Sequence, residues 1–530
     1  MNRHDRRASK NIAPTPAPPT AVALARQALG QSASGDHAAA LRSAVHALTL
    51  EENAFTRTSF VAVVRMMQFY EDNAMLRGLL LRALSQQWGR PEDLAAQAAD
   101  LIRAAGTQLE ALARDELLHT LICLMPNQDM ALEAALMAGR REMLAHALAG
   151  EDVHAAFHAA LARQCFLNEY VLTASDDEMR DVEALRMRVT AALDAGEAVT
   201  PARIAALACY APLTDARLLE RAWPAATEAI LTQQLREPAE EKRLAAALPQ
   251  LTPVSDGVSQ AVRQQYEENP YPRWVVVGPA WRVHGAERAP ADILIAGCGT
   301  GRNAIETAQV FPEARVLAVD LSRASLGHAA RKSAEMKVGN VEYAQADLLE
   351  MGRLDRRFDL IEAMGVLHHM ADPFAGWRTL LSLLKPHGVM RIGLYSPVAR
   401  RDLSAARAQL QAQGFASTPG GVRAGRRHLM QVPGFGEVVQ RPDFFSVSSC
   451  RDLLFHVQET LVPLSAIAAF TRDNALKVLG VDLDAPVLMA YRKRFPRDAD
   501  ATDLDNWAAF ERDNPSTFDG MVQFWVQKTQ

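Results

Sequence analysis

Between residues 20 and 255 apolar side chains return at steps of three and four, as in Leu41, Val45 and Leu48 or in Leu132 and Leu136. That period gathers them on one face of an α-helix. The residue types agree: Ala, Leu, Glu, Arg and Gln dominate, Gly is sparse, and no alternating run of Val, Ile and Thr appears. The pattern predicts an all-helical region over 21–255, and near residues 251–256 it changes.

The first strong strand pattern is Ile293, Leu294, Ile295 and Ala296, after which strand and helix patterns alternate to about Tyr395. Such alternation predicts a parallel sheet with helices on both faces. Strands are expected at 293–296, 314–319, 341–347, 358–363 and 389–395, with two more at 476–481 and 521–526. Helices at 485–494 and 503–513 fill the gap between the last two, and the short apolar run at 521–526 equally fits a helix.

A chain of 530 residues with 49% apolar and 22% charged positions can build two or three cored domains. Its net charge of -5 argues against general nucleic-acid binding, which draws on excess Lys and Arg. The cysteines, Cys123, Cys165, Cys209, Cys298 and Cys450, are scattered without a CxxC pair. Neither a disulfide framework nor a zinc site is expected, and no other metal site is either. The first ten residues are basic, but Pro14, Pro16, Pro18 and Pro19 stand where a signal peptide needs its apolar core. Residues 1–20 are expected to be a disordered tail. No apolar run is long enough to span a bilayer, so the expected location is the cytoplasm.

The strand at 293–296 runs into Gly297, Cys298, Gly299, Thr300 and Gly301, then a helix. The glycines permit a sharp turn and close approach to a ligand, and the helix N-terminus favours a polar or anionic group. Dinucleotide folds use the same device, but here Arg302 stands where the third glycine of GxGxxG belongs. Asp320 ends the second strand, placed to accept hydrogen bonds from ribose hydroxyls or to cap the next helix. Asp347 ends the third, placed to accept from an adenine amine or to start a turn.

The order GCGTGRN, Asp320, Asp347, FDLIEAMGVLHH and LLKPHGVMRIG resembles class I S-adenosylmethionine-dependent methyltransferases over roughly 291–397. The resemblance implies a Rossmann-like, seven-stranded α/β domain at 256–530 and S-adenosyl-L-methionine as cofactor. It implies that Gly297, Cys298, Gly299, Thr300 and Gly301 hold the amino-acid portion, Asp320 the ribose and Asp347 the adenine, with Leu321 and Leu348 beside them. Met364 and Leu367 would lie near the transferring methyl. The helical half is similar to a tetratricopeptide repeat where Gly35 to Leu41 leads to Ala47 to Leu50, although no 34-residue period follows. The segment YEENPYPRW at 266–274, with DFFS at 443–446 and DLLFH at 452–456, resembles bacterial proteins that join a tetratricopeptide-like region to a methyltransferase.

Methyl transfer needs alignment and exclusion of water, and a general base for a neutral amine or hydroxyl acceptor. His368 and His369, after the fourth strand, are candidate bases; capping a helix or binding a carbonyl is the alternative role. Tyr266, Tyr271 and Trp274 are expected either to form a lid over cofactor or substrate or to stiffen an interdomain linker. A basic insertion at about 398–445 carries Arg400, Arg401, Arg407, Arg423, Arg426 and Arg427, as a cover for an acidic acceptor or a solvated helix and loop. The leading expectation is methyl transfer to an unidentified acceptor, with the helical domain recruiting a protein partner or substrate. The alternatives are a non-catalytic cofactor-binding scaffold or interaction module, and an NAD-dependent oxidoreductase.

Overall fold

The computed structural model describes residues 19–278 and 289–529; the expected tail at 1–20 lies almost wholly outside them. The chain divides into two compact units, one up to Met67 and one from Gln68.

In the first unit, helices Ala21–Ala33, His37–Leu50 and Ala54–Val64 follow one another. Each begins on a side-chain cap: Thr20 accepts from Ala23 N, Asp36 from Ala39 N, and Asn53 forms a reciprocal capping box with Thr56. Such caps contribute about 1 kcal/mol each. Ala25, Ala28, Ala40 and Ala44 are fully buried, so small side chains let these helices approach closely.

The second unit continues helically from Ala74–Ser85 to Glu237–Ala247, then through Gly257–Glu268. Its sheet comprises β1 (Asp292–Ala296), β2 (Arg315–Asp320), β3 (Val341–Gln345), β4 (Phe358–Met364), β5 (Leu384–Leu394), β6 (Leu476–Val481) and β7 (Val522–Lys528). The spatial order is β3-β2-β1-β4-β5-β7-β6. β1 to β5 pair in parallel, and β7 runs antiparallel between β5 and β6. Chain order reverses between β1 and β4, and in open α/β sheets ligands bind in the crevice beyond the strand ends at that switch point.

Successive strand residues face opposite layers. Leu294, Leu317, Ile361 and Trp377 belong to one apolar core; Ile293, Ile295, Val316 and Leu360 belong to the other. Burial on both faces explains why these strands read as continuous apolar runs rather than alternations.

β5 starts five residues earlier than the pattern suggested, because the register shifts at Phe358 and Leu360 and lets Leu384 pair across the irregularity. β3 stops at Gln345, and Asp347 instead caps the short helix Leu348–Arg353. Around 249–251 the chain lies along β3: Gln345 N donates to Pro249 O and Leu251 N to Gln345 O, both at 2.9 Å. The preceding helix packs on Arg323–Glu335, and Glu241 accepts from Arg331 Nε at 2.8 Å. No helix of the described residues is long and apolar enough to cross a membrane.

Candidate functional site

The glycine turn leaves β1 at the switch point. Gly297 has φ +68°, and a Cβ there would stand 2.4 Å from Val366 Cγ2, so only glycine fits. Asp320 at the tip of β2 accepts Gly299 N at 2.8 Å through Oδ2 and Ser322 N at 2.9 Å through Oδ1. Burial pushes its carboxyl up from the usual range, and those two N–H groups oppose the shift. The helix that follows is capped by Ser322, not by Asp320. Asp347 Oδ1 accepts Leu349 N at 3.1 Å, while its Oδ2 is buried with no hydrogen-bond partner. An orphaned buried oxygen of this kind costs about 1–3 kcal/mol, and a ligand amine would satisfy it.

The aromatic segment closes over this turn from outside. The Tyr271 carbonyl lies 2.7 Å from where a Gly299 Cβ would be. The Thr300 hydroxyl donates to Pro272 O and accepts from Trp274 Nε1 at 3.0 Å. Trp274 is 4% exposed and packs edge-on to His328, so it anchors the segment rather than facing the crevice. Glu267 accepts Arg323 N at 2.7 Å and Ala324 N at 3.1 Å, tying the segment to the helix after Asp320. Tyr266 and Tyr271 keep part of their surface open.

Their hydroxyls lead to a polar cluster that only the structure assembles. Tyr266 donates to Asp452 Oδ1 at 2.6 Å, and its oxygen lies 3.1 Å from His456 Nε2 and 3.5 Å from His369 Nε2. Tyr271 donates to Asp443 at 3.3 Å. Burial, reinforced by the neighbouring Asp452, pushes Asp443 up to about 6. Burial holds His456 down to about 3 and also lowers His369. His369 and His456 stack at 3.7 Å with ring planes 20° apart.

His369, Asp452 and His456 offer ligand atoms within 4.8 Å of one another, spacing compatible with a metal ion. The Tyr266 oxygen, within 3.5 Å of both Nε2 atoms and 2.6 Å from Asp452 Oδ1, already occupies the point where such an ion would sit. His456 Nδ1 also accepts Gln458 N at 3.1 Å, which puts the ring proton of the neutral imidazole on Nε2.

The two adjacent histidines part company. His368 is fully buried, finds no hydrogen-bond partner at either nitrogen, and packs on the Tyr395 ring at 3.8 Å with the planes tilted by 30°. His369 joins the cluster. Leu367 is fully buried in the core beneath them, whereas Met364 stays partly open beside Gly393. Leu348 is 4% exposed and belongs to the same core, while Leu321 stays partly open next to Asp320.

Several arginines of the insertion serve the protein itself. Arg400 lies over the Tyr395 ring at 3.3 Å, and Arg407 donates to Glu459 at 2.9 Å. Arg426 pairs bidentately with Glu133 at 2.8 and 2.6 Å. Arg302, in the place of a third glycine, donates to Glu92 at 2.8 and 3.0 Å.

Residues 293–388 match the family model described as a methyltransferase domain. This chain carries a class I S-adenosylmethionine-dependent methyltransferase domain. The cofactor of that domain is S-adenosylmethionine, and the residues present fit it: the crevice offers a carboxylate at the β2 tip and the unsatisfied Asp347 Oδ2. An uncharacterized protein of Synechococcus sp. is 30% identical over 251 residues, 42% of this chain and 60% of its own length. Trans-aconitate 2-methyltransferase of Deinococcus radiodurans is 33% identical over 106 residues, 20% of this chain and 38% of its own. The solved structure of PKMT2 from Rickettsia typhi in complex with AdoHcy has a TM-score of 0.36 at 14% identity, covering 52% of this chain and 53% of that one. The chain thus spans less than two thirds of the curated relatives it matches.

Proposed function

We propose that this chain binds S-adenosylmethionine in the switch-point crevice and transfers its methyl group to an acceptor. Bound there, the cofactor supplies a methyl already activated on a sulfonium. The protein's part is to orient and to exclude water. In this reading the 297–301 turn receives the amino-acid end, Asp320 and Leu321 the ribose, and Asp347 and Leu348 the adenine. Met364 borders the reacting end, with Leu367 supporting it from the core. The 266–274 segment closes over the turn.

The supporting observation is the unsatisfied Asp347 Oδ2 beside a β2 tip that carries Asp320. Calorimetry with S-adenosylmethionine tests it. The wild type binds, and Asp320→Ala and Asp347→Asn each bind about tenfold or more weakly, as for the loss of a hydrogen bond to a charged group. Absence of binding by the wild type returns the chain to the scaffold reading. Mass spectrometry of a cell extract incubated with labelled cofactor, wild type against Asp320→Ala, then reports the acceptor. The helical region over 21–255 would then recruit a partner or substrate.

A further inference from the structure

We propose that Tyr266 is the residue through which the methyl acceptor loses its proton, with His369 as the terminal base. The acceptor is then a neutral amine or hydroxyl that carries a hydrogen to be removed. This rests on the methyltransferase reading above.

The hydrogen-bond pattern assigns the ring protons. His369 Nδ1 lies 3.0 Å from Gln458 O, a carbonyl that can only accept, so Nδ1 carries the proton and Nε2 holds a lone pair. His456 is the reverse: its Nδ1 accepts Gln458 N, so Nε2 donates to the Tyr266 oxygen. One residue's backbone, Gln458, therefore fixes both tautomers in opposite senses. Tyr266 receives one hydrogen bond from His456, gives one to Asp452, and has the His369 lone pair 3.5 Å away. Rotation of the hydroxyl about its C–O bond swings the proton from Asp452 toward His369. Bonds of this length commonly tighten only when substrate is bound.

Exposure separates the roles. His369 is 7% exposed and His456 has a fully covered side chain, whereas Tyr266 is partly open and its carbonyl accepts the Ser322 hydroxyl next to Asp320. Tyr266 is thus the cluster member tied to the crevice wall, through its backbone carbonyl and Ser322 beside Asp320. Burial holds its own hydroxyl protonated, so it relays rather than acts as a free phenolate. His368, without polar partners, has no route for a proton.

The balance closes. The acceptor's X–H proton moves to the Tyr266 oxygen as the X–C bond forms and the S–C bond breaks. The Tyr266 proton moves to His369 Nε2. The positive charge of the sulfonium ends on the imidazolium, beside Asp452 and Glu459, which favour it. Groups facing His369 are Tyr266 from the helix Gly257–Glu268, Asp452 and His456 from Val447–Phe455 and its end, Glu459, and Arg407, with His368 adjacent. Because burial lowers the His369 pKa below the ordinary imidazole range, the free base is present at neutral pH and is lost only in more acidic solution.

The test uses the full-length protein with tritiated S-adenosylmethionine and a cleared bacterial lysate, counting acid-stable label from pH 5 to 8. Calorimetry of cofactor binding runs in parallel. Tyr266→Phe and His369→Gln are expected to bind cofactor as the wild type does and to transfer label about 100-fold more slowly, the usual worth of a positioned base. The acid limb of the wild-type profile disappears in His369→Gln. Cofactor binding without label transfer by the wild type overturns the enzymatic reading itself. Wild-type transfer with unchanged rates and unchanged pH profile in both variants overturns the relay alone. Equal loss of cofactor affinity and rate in both variants would show a structural role and also overturns it.

Discussion

Glu169 accepts from Arg273 Nε at 3.1 Å and so ties a turn of the helical region to the segment lying over Gly299. Glu169 and Tyr170 both adopt left-handed backbone, at φ +56° and +59°, a conformation that costs non-glycine residues energy unless the surroundings enforce it. The enforcement is visible: the same carboxylate accepts Ser448 N, Val447 N donates to Asn168 O at 3.2 Å, and Arg423 donates to Tyr170 O at 3.4 Å. One turn thus grips both the aromatic segment and the insertion.

Glu169→Gln keeps the shape and removes the charge. Hydrogen exchange should quicken at 271–274, and cofactor affinity should fall about three- to tenfold, for a loss of roughly 1 kcal/mol. Unchanged exchange in that segment would mean that the clasp is not what holds it down.

Arg426 and Glu133 make a buried bidentate pair. Breaking one side leaves a buried charge alone, which typically costs about 3–5 kcal/mol, whereas replacing both by apolar groups costs far less. Glu133→Ala should therefore lower the melting temperature by many degrees. The double change Glu133→Met with Arg426→Leu should recover most of the loss; a double variant as unstable as the single one contradicts this account.

Gly301 has φ +86°, and a Cβ there would stand 2.5 Å from Ala329 Cβ. Gly301→Ala combines left-handed strain with a backbone-level clash, so a destabilisation of about 1–3 kcal/mol is expected. Gly480, where nothing lies within 4 Å, is the control. Thermal unfolding of Gly301→Ala and Gly480→Ala should differ by that amount.

His158 is buried within the helical region, and burial holds its imidazole down to about 3 from an ordinary 6.5. In the unfolded chain it takes a proton below about 6.5. The unfolded state then binds more protons, so this stability is complete above that pH and drains away as pH falls toward 3. The slope approaches ~1.4 kcal/mol per pH unit. His158→Leu should flatten the fall of melting temperature between pH 6.5 and 4. An identical slope in both proteins would rule His158 out as its source.

The strands were legible because burial on both faces forces continuous apolar runs, and the glycine turn because its backbone tolerates no other residue. Asp320 and Asp347 could be placed from the ends of their strands. Tyr266 and His369 stood out by type, but their partners did not. Asp452 and His456 sit one helical turn apart, a spacing that hints at a shared face, yet nothing local joins them to a tyrosine 186 positions earlier. The insertion's arginines looked like a basic surface; only the fold reveals Glu133, Glu459 and the Tyr395 ring as their destinations. Glu169 carried no signal at all, since its left-handed backbone is imposed by distant contacts.

β6 finds its one sheet neighbour in β7, which follows it in the chain by 41 residues (from Val481 to Val522). At translation speeds of about 5–20 residues per second, that strand waits roughly 2–8 s for its mate. Throughout the wait β5 also shows an open flank, since β7 must slot between the two. A nascent chain therefore carries two sticky borders at once, and slowing the ribosome anywhere across that stretch should raise the share lost to aggregation.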